Sequence, residues 1–382
     1  MSESFKVNVS VHGRWHAFEL ANGLYRRGHL GKLLTTYPRL GARRFLDAGV
    51  ELRSRPLFEF RRRLYQRYHI GVKPDLAIAR GFAKFAATEA TTGADLLVGW
   101  SSSILEAIAP AKGNGLKVVV ERGSTHICHQ SRILRQAYDE LGMAAELPLP
   151  EIVEREVAEY EAADAIAVPT EFAAQTFTEE GVPRDKLVVN GYGVDLSKYA
   201  PASLDTGQPG ARVLFVGRIG VRKGVPWLLR AIKDARRQTG LDLVGPIEDG
   251  FREYLRREKS DHMELRGAVS AQALPALYSR ARIFCLPSLE EGMPLTLLQA
   301  MAAGLPVVTT AAASGGIVEQ SGAGIIVPPR DSDTLAEALD RLISEPDLCR
   351  EMGRAGRSAV ESGFGWPDYA DRAIGAYRRI IS

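Results

Sequence analysis

The chain has 382 residues, 45% hydrophobic and 25% charged, with a formal net charge of +3. That length exceeds one typical domain and fits two, with the composition of a soluble globular protein. No apolar run approaches the eighteen or so residues a membrane helix needs, residues 1–8 carry no export pattern, and three scattered cysteines (Cys128, Cys285, Cys349) argue against a disulfide framework and for a reducing cytoplasm.

Residues 6–11 read as a first strand running into His12-Gly13-Arg14-Trp15-His16, and residues 17–27 as a helix. Between Arg39 and Lys73 stand Arg43, Arg44, Arg53, Arg55, Arg61, Arg62, Arg63 and Arg67, against Asp47, Glu51 and Glu59. This run is either a solvated helical face or a surface for anionic lipid headgroups or an acidic acceptor. Nucleic acid is disfavoured, because no recognition motif accompanies the charge. Short buried strands are expected at 96–99 and 117–120, the second ending in Glu121-Arg122-Gly123-Ser124-Thr125-His126. An acidic helix at 151–163 precedes strands at 165–168 and 187–190. Short apolar strands alternating with helices indicate a parallel, doubly wound sheet.

Residues 200–212, rich in small residues, proline and glycine, read as a linker. The alternation then restarts, with strands at 213–216, 241–244, 264–266 and 283–286. Helices are expected at 227–239, 251–259, 274–279, 334–344, 346–362 and 367–381.

No Gly-x-Gly-x-x-Gly follows the first strand, so a nicotinamide or flavin cofactor has no support. Cys128-His129 is too sparse for a metal site. The stretch from Phe215 to Gly224 says more, because it follows the first strand of the second unit, at the edge where parallel sheets bind ligands. Gly217 permits a close turn. Arg218 offers a planar fork and Lys223 a point charge, and together they can hold one diphosphate. Read alone, the loop is also compatible with a solvated basic surface. Residues 287–308 read as strand end, acidic loop, helix and strand, with Pro294 at the first helical position. Glu291, beside that helix start, suits a ligand with hydroxyls and phosphates, or is a capping carboxylate.

Gly217-Arg218, Lys223-Gly224, Pro287-Ser288-x-x-Glu291-Gly292 and Ala300-Met301-Ala302-x-Gly304-x-Pro306-Val307-Val308 together resemble the retaining glycosyltransferases of family 4, glycosyltransferase group 1. Asn190-Gly191-x-Gly193-Val194-Asp195, Ala163-Asp164-Ala165 with Pro169-Thr170-Glu171-Phe172, Gly315-Gly316-x-x-Glu319 and Phe364-x-Trp366 match further signatures of that family. The likeness is close over residues 160–382 and looser over 1–120. It implies the α/β GT-B fold, two Rossmann-like doubly wound domains facing a central cleft. Residues 1–200 would form the acceptor domain, 205–362 the nucleotide-sugar domain, and 363–382 a helix crossing back to the first.

The resemblance also implies an enzyme that moves a sugar from a nucleotide-diphosphate sugar to a hydroxyl of a glycan, lipid or small molecule. Retention by a same-face mechanism, with neither metal nor cofactor, is expected. Arg218 and Lys223 would stabilise the leaving diphosphate. Glu291 would bind donor-sugar hydroxyls, and the backbone at Gly292, Met293, Pro294 and Leu295 would add helix-terminus dipoles. Gly267 and Val269 would meet the base. Where the family has a second glutamate for the ribose, this chain has Gln299, which can bond a ribose without charge assistance. In the first domain His126 would face the donor sugar, or else cap a helix. Glu121 and Arg122 would meet the acceptor, Gly13 would approach the phosphates, and Trp15 would stack on an acceptor sugar or lie in the core. The arginine-rich stretch would contact the inner face of an anionic membrane. Alternatives are an epimerase or phosphorylase-like enzyme on the same architecture, or a non-catalytic scaffold that binds nucleotide sugars.

Overall fold

Residues 7–11, 96–100 and 117–121 are short runs rich in valine and leucine, the first with Asn8 and Ser10 on its second face, and nearly all of their side chains are buried. The middle of a parallel sheet is the place that buries both faces of such a run. The computed structural model describes residues 5–68, 73–201, 212–235, 239–258 and 260–382, and these three runs are adjacent central strands in it. The first sheet comprises β1 (Val7–Val11), β2 (Leu30–Thr35), β3 (Leu52–Ser54), β4 (Leu96–Trp100), β5 (Lys117–Glu121), β6 (Ala165–Val168) and β7 (Leu187–Val189). Its order is β3-β2-β1-β4-β5-β6-β7, parallel throughout. The second sheet holds β8 (Arg212–Val216), β9 (Gly240–Val244), β10 (Met263–Gly267), β11 (Ile283–Leu286), β12 (Val307–Thr309) and β13 (Gly324–Ile326), in the order β10-β9-β8-β11-β12-β13. Strand order reverses between β1 and β4 and again between β8 and β11. At such switch points the loops at the strands' C-terminal ends part and leave a crevice for ligand.

The expected strands all form, within a residue or two of the expected bounds. The inner strand β2, the edge strands β3 and β13 and the helix Ile127–Glu140 carry weaker patterns and were not anticipated. Most of the expected linker at 200–212 lies outside the described residues. The helix expected at 227–239 is Val225–Asp234, starting earlier because Gly224 caps it at φ 71°. A Cβ on Gly224 would meet the Pro287 carbonyl oxygen at 1.9 Å, so glycine there serves both the turn and the approach of β11's end. Pro294 is the cap residue (φ −71°, ψ 118°), not the first helical residue, and the helix it precedes is Leu295–Ala302.

The last helix, Trp366–Ile381, packs on Ala17–Arg26 of the first domain. Arg27 donates to Asp371 at 2.6 Å, Arg372 to the Asn190 side chain at 3.1 Å, and the Val194 N–H to the Phe364 carbonyl at 2.7 Å. The Asn190–Val194 motif thus clamps the returning helix.

Candidate active site

The loops after β5 and β6 meet the loop after β11, so the two C-terminal edges face each other. A Cβ on Gly292 would lie 2.3 Å from the Gly123 carbonyl oxygen, and glycine is what lets these two backbones touch. The Thr170 hydroxyl donates to the Gly292 carbonyl at 3.3 Å.

At this seam Glu290 is fully buried. It accepts from the Thr125 N–H at 3.0 Å, the Thr125 hydroxyl at 2.7 Å, the Ser124 hydroxyl, and the Gln130 amide at 2.9 Å, all from the first domain. From its own domain Arg222 Nε donates to it at 2.7 Å. Burial alone would raise a carboxyl's pKa. The Arg222 charge and the bonds from Ser124 and Thr125 outweigh it and hold Glu290 well below the usual carboxylate range. Arg222 also reaches Ser124 Oγ at 3.4 Å and Glu291 at 3.3 Å. Burial works against its charge, yet Glu290 and Glu291 raise its pKa overall.

Glu291 is buried, accepts from the Ser288 hydroxyl at 3.0 Å and pairs with Lys223. Burial lowers the Lys223 pKa, more than Glu291 restores it. Two adjacent cations and two adjacent carboxylates therefore neutralise one another beside the β8–β11 switch point. A diphosphate entering there competes with carboxylates for cations already in place.

The other expected donor-side residues spread around this centre. Gly217 turns the chain after β8, its N–H bonded to the Val244 carbonyl at 2.9 Å. Arg218 is exposed, and its charge acts on Glu248, partly offsetting the rise that burial gives that carboxyl. Gln299 is half-buried, and its carbonyl oxygen accepts from the Tyr278 hydroxyl at 3.1 Å. Gly267 (φ 65°) ends β10, and Val269 is half-buried just beyond it. Met293 turns toward the first domain, its sulfur accepting from the Tyr192 N–H at 3.2 Å, and Leu295 opens the helix that Pro294 caps.

On the first-domain side several expectations are corrected. His126 does not open onto the cleft. It is the N-cap of helix Ile127–Glu140, its ring accepts from the Cys128 N–H at 3.2 Å, and it packs on Tyr160 and Phe177. Burial lowers its pKa to about 4. Arg122 is buried in an ion pair with Glu156 at 2.8 Å and bonds Gln130 at 2.8 Å, so it braces the loop that holds Glu290 instead of meeting an acceptor. Glu121 is buried 3.8 Å from His16, near Tyr192, Tyr369 and Tyr377, where the returning helix docks.

Gly13 and Trp15 do meet open space. They line a cavity of about 510 Å³ with His12, Arg62, Lys73 and Ser103, among others. Trp15 is 60% exposed at φ 42°, so it is not a core residue. A second cavity, about 660 Å³, lies between the domains around Phe172, Met293, Ser314 and Phe364.

For metals, His126, Cys128 and Glu180 bring ligand-type atoms within 4.8 Å of one another, but Glu180 already binds Arg132 at 2.7 Å and His126 caps its helix. One Asp-x-Asp sequence is present, Asp331-Ser332-Asp333, and Asp331 is a helix cap, accepting from the Thr334 N–H at 2.9 Å. No helix among the described residues is long and apolar enough to cross a membrane.

Sequence reasoning passed over Glu290, Arg222, Ser124, Thr125 and Gln130. The available signal was the doubling of charge, Arg222-Lys223 and Glu290-Glu291, in two loops that end adjacent strands.

Residues 13–193 match a family model described as "Glycosyl transferase 4-like domain", and residues 210–345 one described as "Glycosyl transferases group 1". The MMP alpha-(1->4)-mannosyltransferase of Mycolicibacterium hassiacum is 31% identical over 229 residues, 57% of this chain and 54% of that protein. The chain thus spans about half the length of the curated relatives it matches. Sucrose-phosphate synthase from Thermosynechococcus elongatus superposes with a TM-score of 0.72 at 21% identity, covering 99% of both chains. Anabaena HepE, solved in complex with UDP and glucose, gives 0.71 at 14% identity, covering 98% of this chain and 100% of that one, and at such identity both show the fold alone. With its two facing Rossmann-like sheets and both halves matched, the chain belongs to the group 1, family 4 glycosyltransferases of GT-B fold.

Proposed function

We propose that the protein is a retaining glycosyltransferase that takes a sugar from a nucleotide-diphosphate sugar to an acceptor hydroxyl. The observation that carries this reading is the Lys223–Glu291 pair beside Arg222 and Glu290, at the ligand-binding edge of the second sheet. The bond from the sugar's anomeric carbon to the diphosphate breaks, and its electron pair passes to the leaving oxygen. Lys223, with Arg218 and Arg222, stabilises that growing charge more than the ground state. The acceptor oxygen bonds the same face, and its proton goes to a donor phosphate oxygen. Glu291, released from Lys223, takes the donor-sugar hydroxyls. Fixed cations supply the charge stabilisation here without a metal.

The acceptor enters from the first domain, through the cavity lined by Gly13 and Trp15, beside the arginine-rich stretch through which we expect peripheral contact with an anionic membrane. The relatives' names support the class: one is a mannosyltransferase, and Anabaena HepE was solved with UDP and glucose. Donor depletion and product formation, assayed by mass spectrometry across candidate acceptors, test the reading. Epimerised donor in the absence of acceptor would replace it. One observation favours a second reading, a nucleotide-sugar-binding protein without turnover. Gln299 replaces the second glutamate that the family's motif carries, and its carbonyl is already held by Tyr278. Donor binding with no transfer to any acceptor would select that reading.

A further inference from the structure

Helix Pro56–Tyr68 has two unlike faces. Inward, Glu59 is buried and holds Arg62 and Arg63 at 2.7 and 2.8 Å. Outward, Leu57, Phe60, Leu64 and Tyr68 are 77, 65, 47 and 55% exposed. At 3.6 residues per turn these four fall within one arc of about 80°. Arg61 and Arg67 flank that arc, and among the described residues neither is in an ion pair. Leu40 (88% exposed) and Phe45 belong to the same stretch.

The charge around the stripe is lopsided. From Arg39 to Lys73 the chain carries ten cations and three acids, more positive charge than the +3 of the whole protein. A solvated face would be polar. An apolar stripe with arginine flanks is the pattern of a helix that lies in the plane of a membrane interface. The same helix forms a wall of the first-domain cavity through Phe58, Glu59 and Arg62, and Arg14 and Trp15 stand on that cavity as well, Arg14 lying 3.9 Å over the Phe45 ring.

We propose that this face docks on an anionic phospholipid bilayer, with helix Pro56–Tyr68 seated in the interface, and that the acceptor taken by the adjoining cavity is an amphiphile whose polar end is presented from that surface. The second clause rests on the cavity being the acceptor site. The first does not.

The test is flotation of the full chain, without donor or acceptor, on vesicles of phosphatidylcholine alone or with about one third phosphatidylglycerol. The expected result is at least about tenfold more protein on the anionic vesicles. Both the Leu57→Ser/Phe60→Ser/Leu64→Ser variant and the Arg61→Glu/Arg67→Glu variant should lose that binding while keeping the wild-type melting temperature, since these side chains face outward. No binding by wild type, equal binding to neutral vesicles, or variants that float like wild type would overturn the proposal. So would a dimer in sedimentation that the triple variant abolishes, because a second copy would then cover the stripe. Thermal shift with nucleotide-diphosphate sugars, run on the same proteins, separates the two readings. Loss of flotation with donor response intact concerns the docking face, and absence of any donor response in wild type concerns the transfer reaction.

Discussion

Thr125 in the first domain donates both its N–H, at 3.0 Å, and its hydroxyl, at 2.7 Å, to the buried carboxylate of Glu290 in the second. Gln130 and Arg222 complete the shell from opposite sides of the seam. Glu290→Ala leaves the half-buried Arg222 with Glu291 as its remaining acid partner and strips the Ser124, Thr125 and Gln130 donors of their acceptor. It should cost about 1–3 kcal/mol in denaturant unfolding, the range for leaving buried donors without an acceptor. Glu290→Gln should cost less, since an amide oxygen still accepts, and should widen the protein measurably in small-angle scattering.

Gly292→Ala acts on the same seam without touching a charge. Its Cβ would sit 2.3 Å from the Gly123 carbonyl, so the domains must part. The expected outcome is a sharp loss of turnover with nucleotide affinity retained, read as a fall in kcat with little change in donor Kd.

Acid should destabilise the protein in two steps. His126, with a folded pKa near 4 against an ordinary 6.5, binds its proton more readily when unfolded. Its contribution to stability is therefore complete above about pH 6.5 and is lost as pH drops toward 4, opposed by buried Glu159, whose pKa burial raises to about 8. Glu290, held below the ordinary 4.5, adds stability above that value which is lost as pH falls further. Unfolding free energies measured from pH 7 to 3 should show both slopes. His126→Asn, which can still cap the helix, should flatten the upper one alone.

At Gln299 the side-chain carbonyl accepts from Tyr278 and leaves the amide N–H groups for a ligand. If those donors serve the nucleotide, Gln299→Glu lowers affinity for a nucleoside diphosphate by about tenfold or more, equivalent to about 1.4 kcal/mol. Tighter binding by that variant would show the glutamine to be a weakened copy of the family's carboxylate.

Much of the fold was legible, because central parallel strands such as β1, β4 and β5 are buried on both faces and stand out as short valine- and leucine-rich runs. The edge strand β3, with Arg53 exposed at its middle, and the partly exposed edge strand β13 carry no such mark. That Lys223 and Glu291 lie at one sheet edge was legible because their loops end adjacent strands. Which of its two expected roles His126 takes, and that Arg122 turns inward, were not legible, because a side chain after a strand can turn inward as easily as toward the cleft, and the choice depends on Tyr160, Phe177 and Glu156, which come from distant helices. Glu290 was missed because its first-domain partners lie 160 to 166 positions away and Arg222 lies 68 away, where no local pattern points.

The most direct test of the central claim is calorimetric titration of the wild type and of Lys223→Ala with nucleotide-diphosphate sugars. The account predicts that at least one such donor binds wild type and that Lys223→Ala weakens it by about tenfold or more, while the protein stays folded. Binding of a donor with unchanged affinity in Lys223→Ala, or no binding of any nucleotide-diphosphate sugar to wild type, would contradict it.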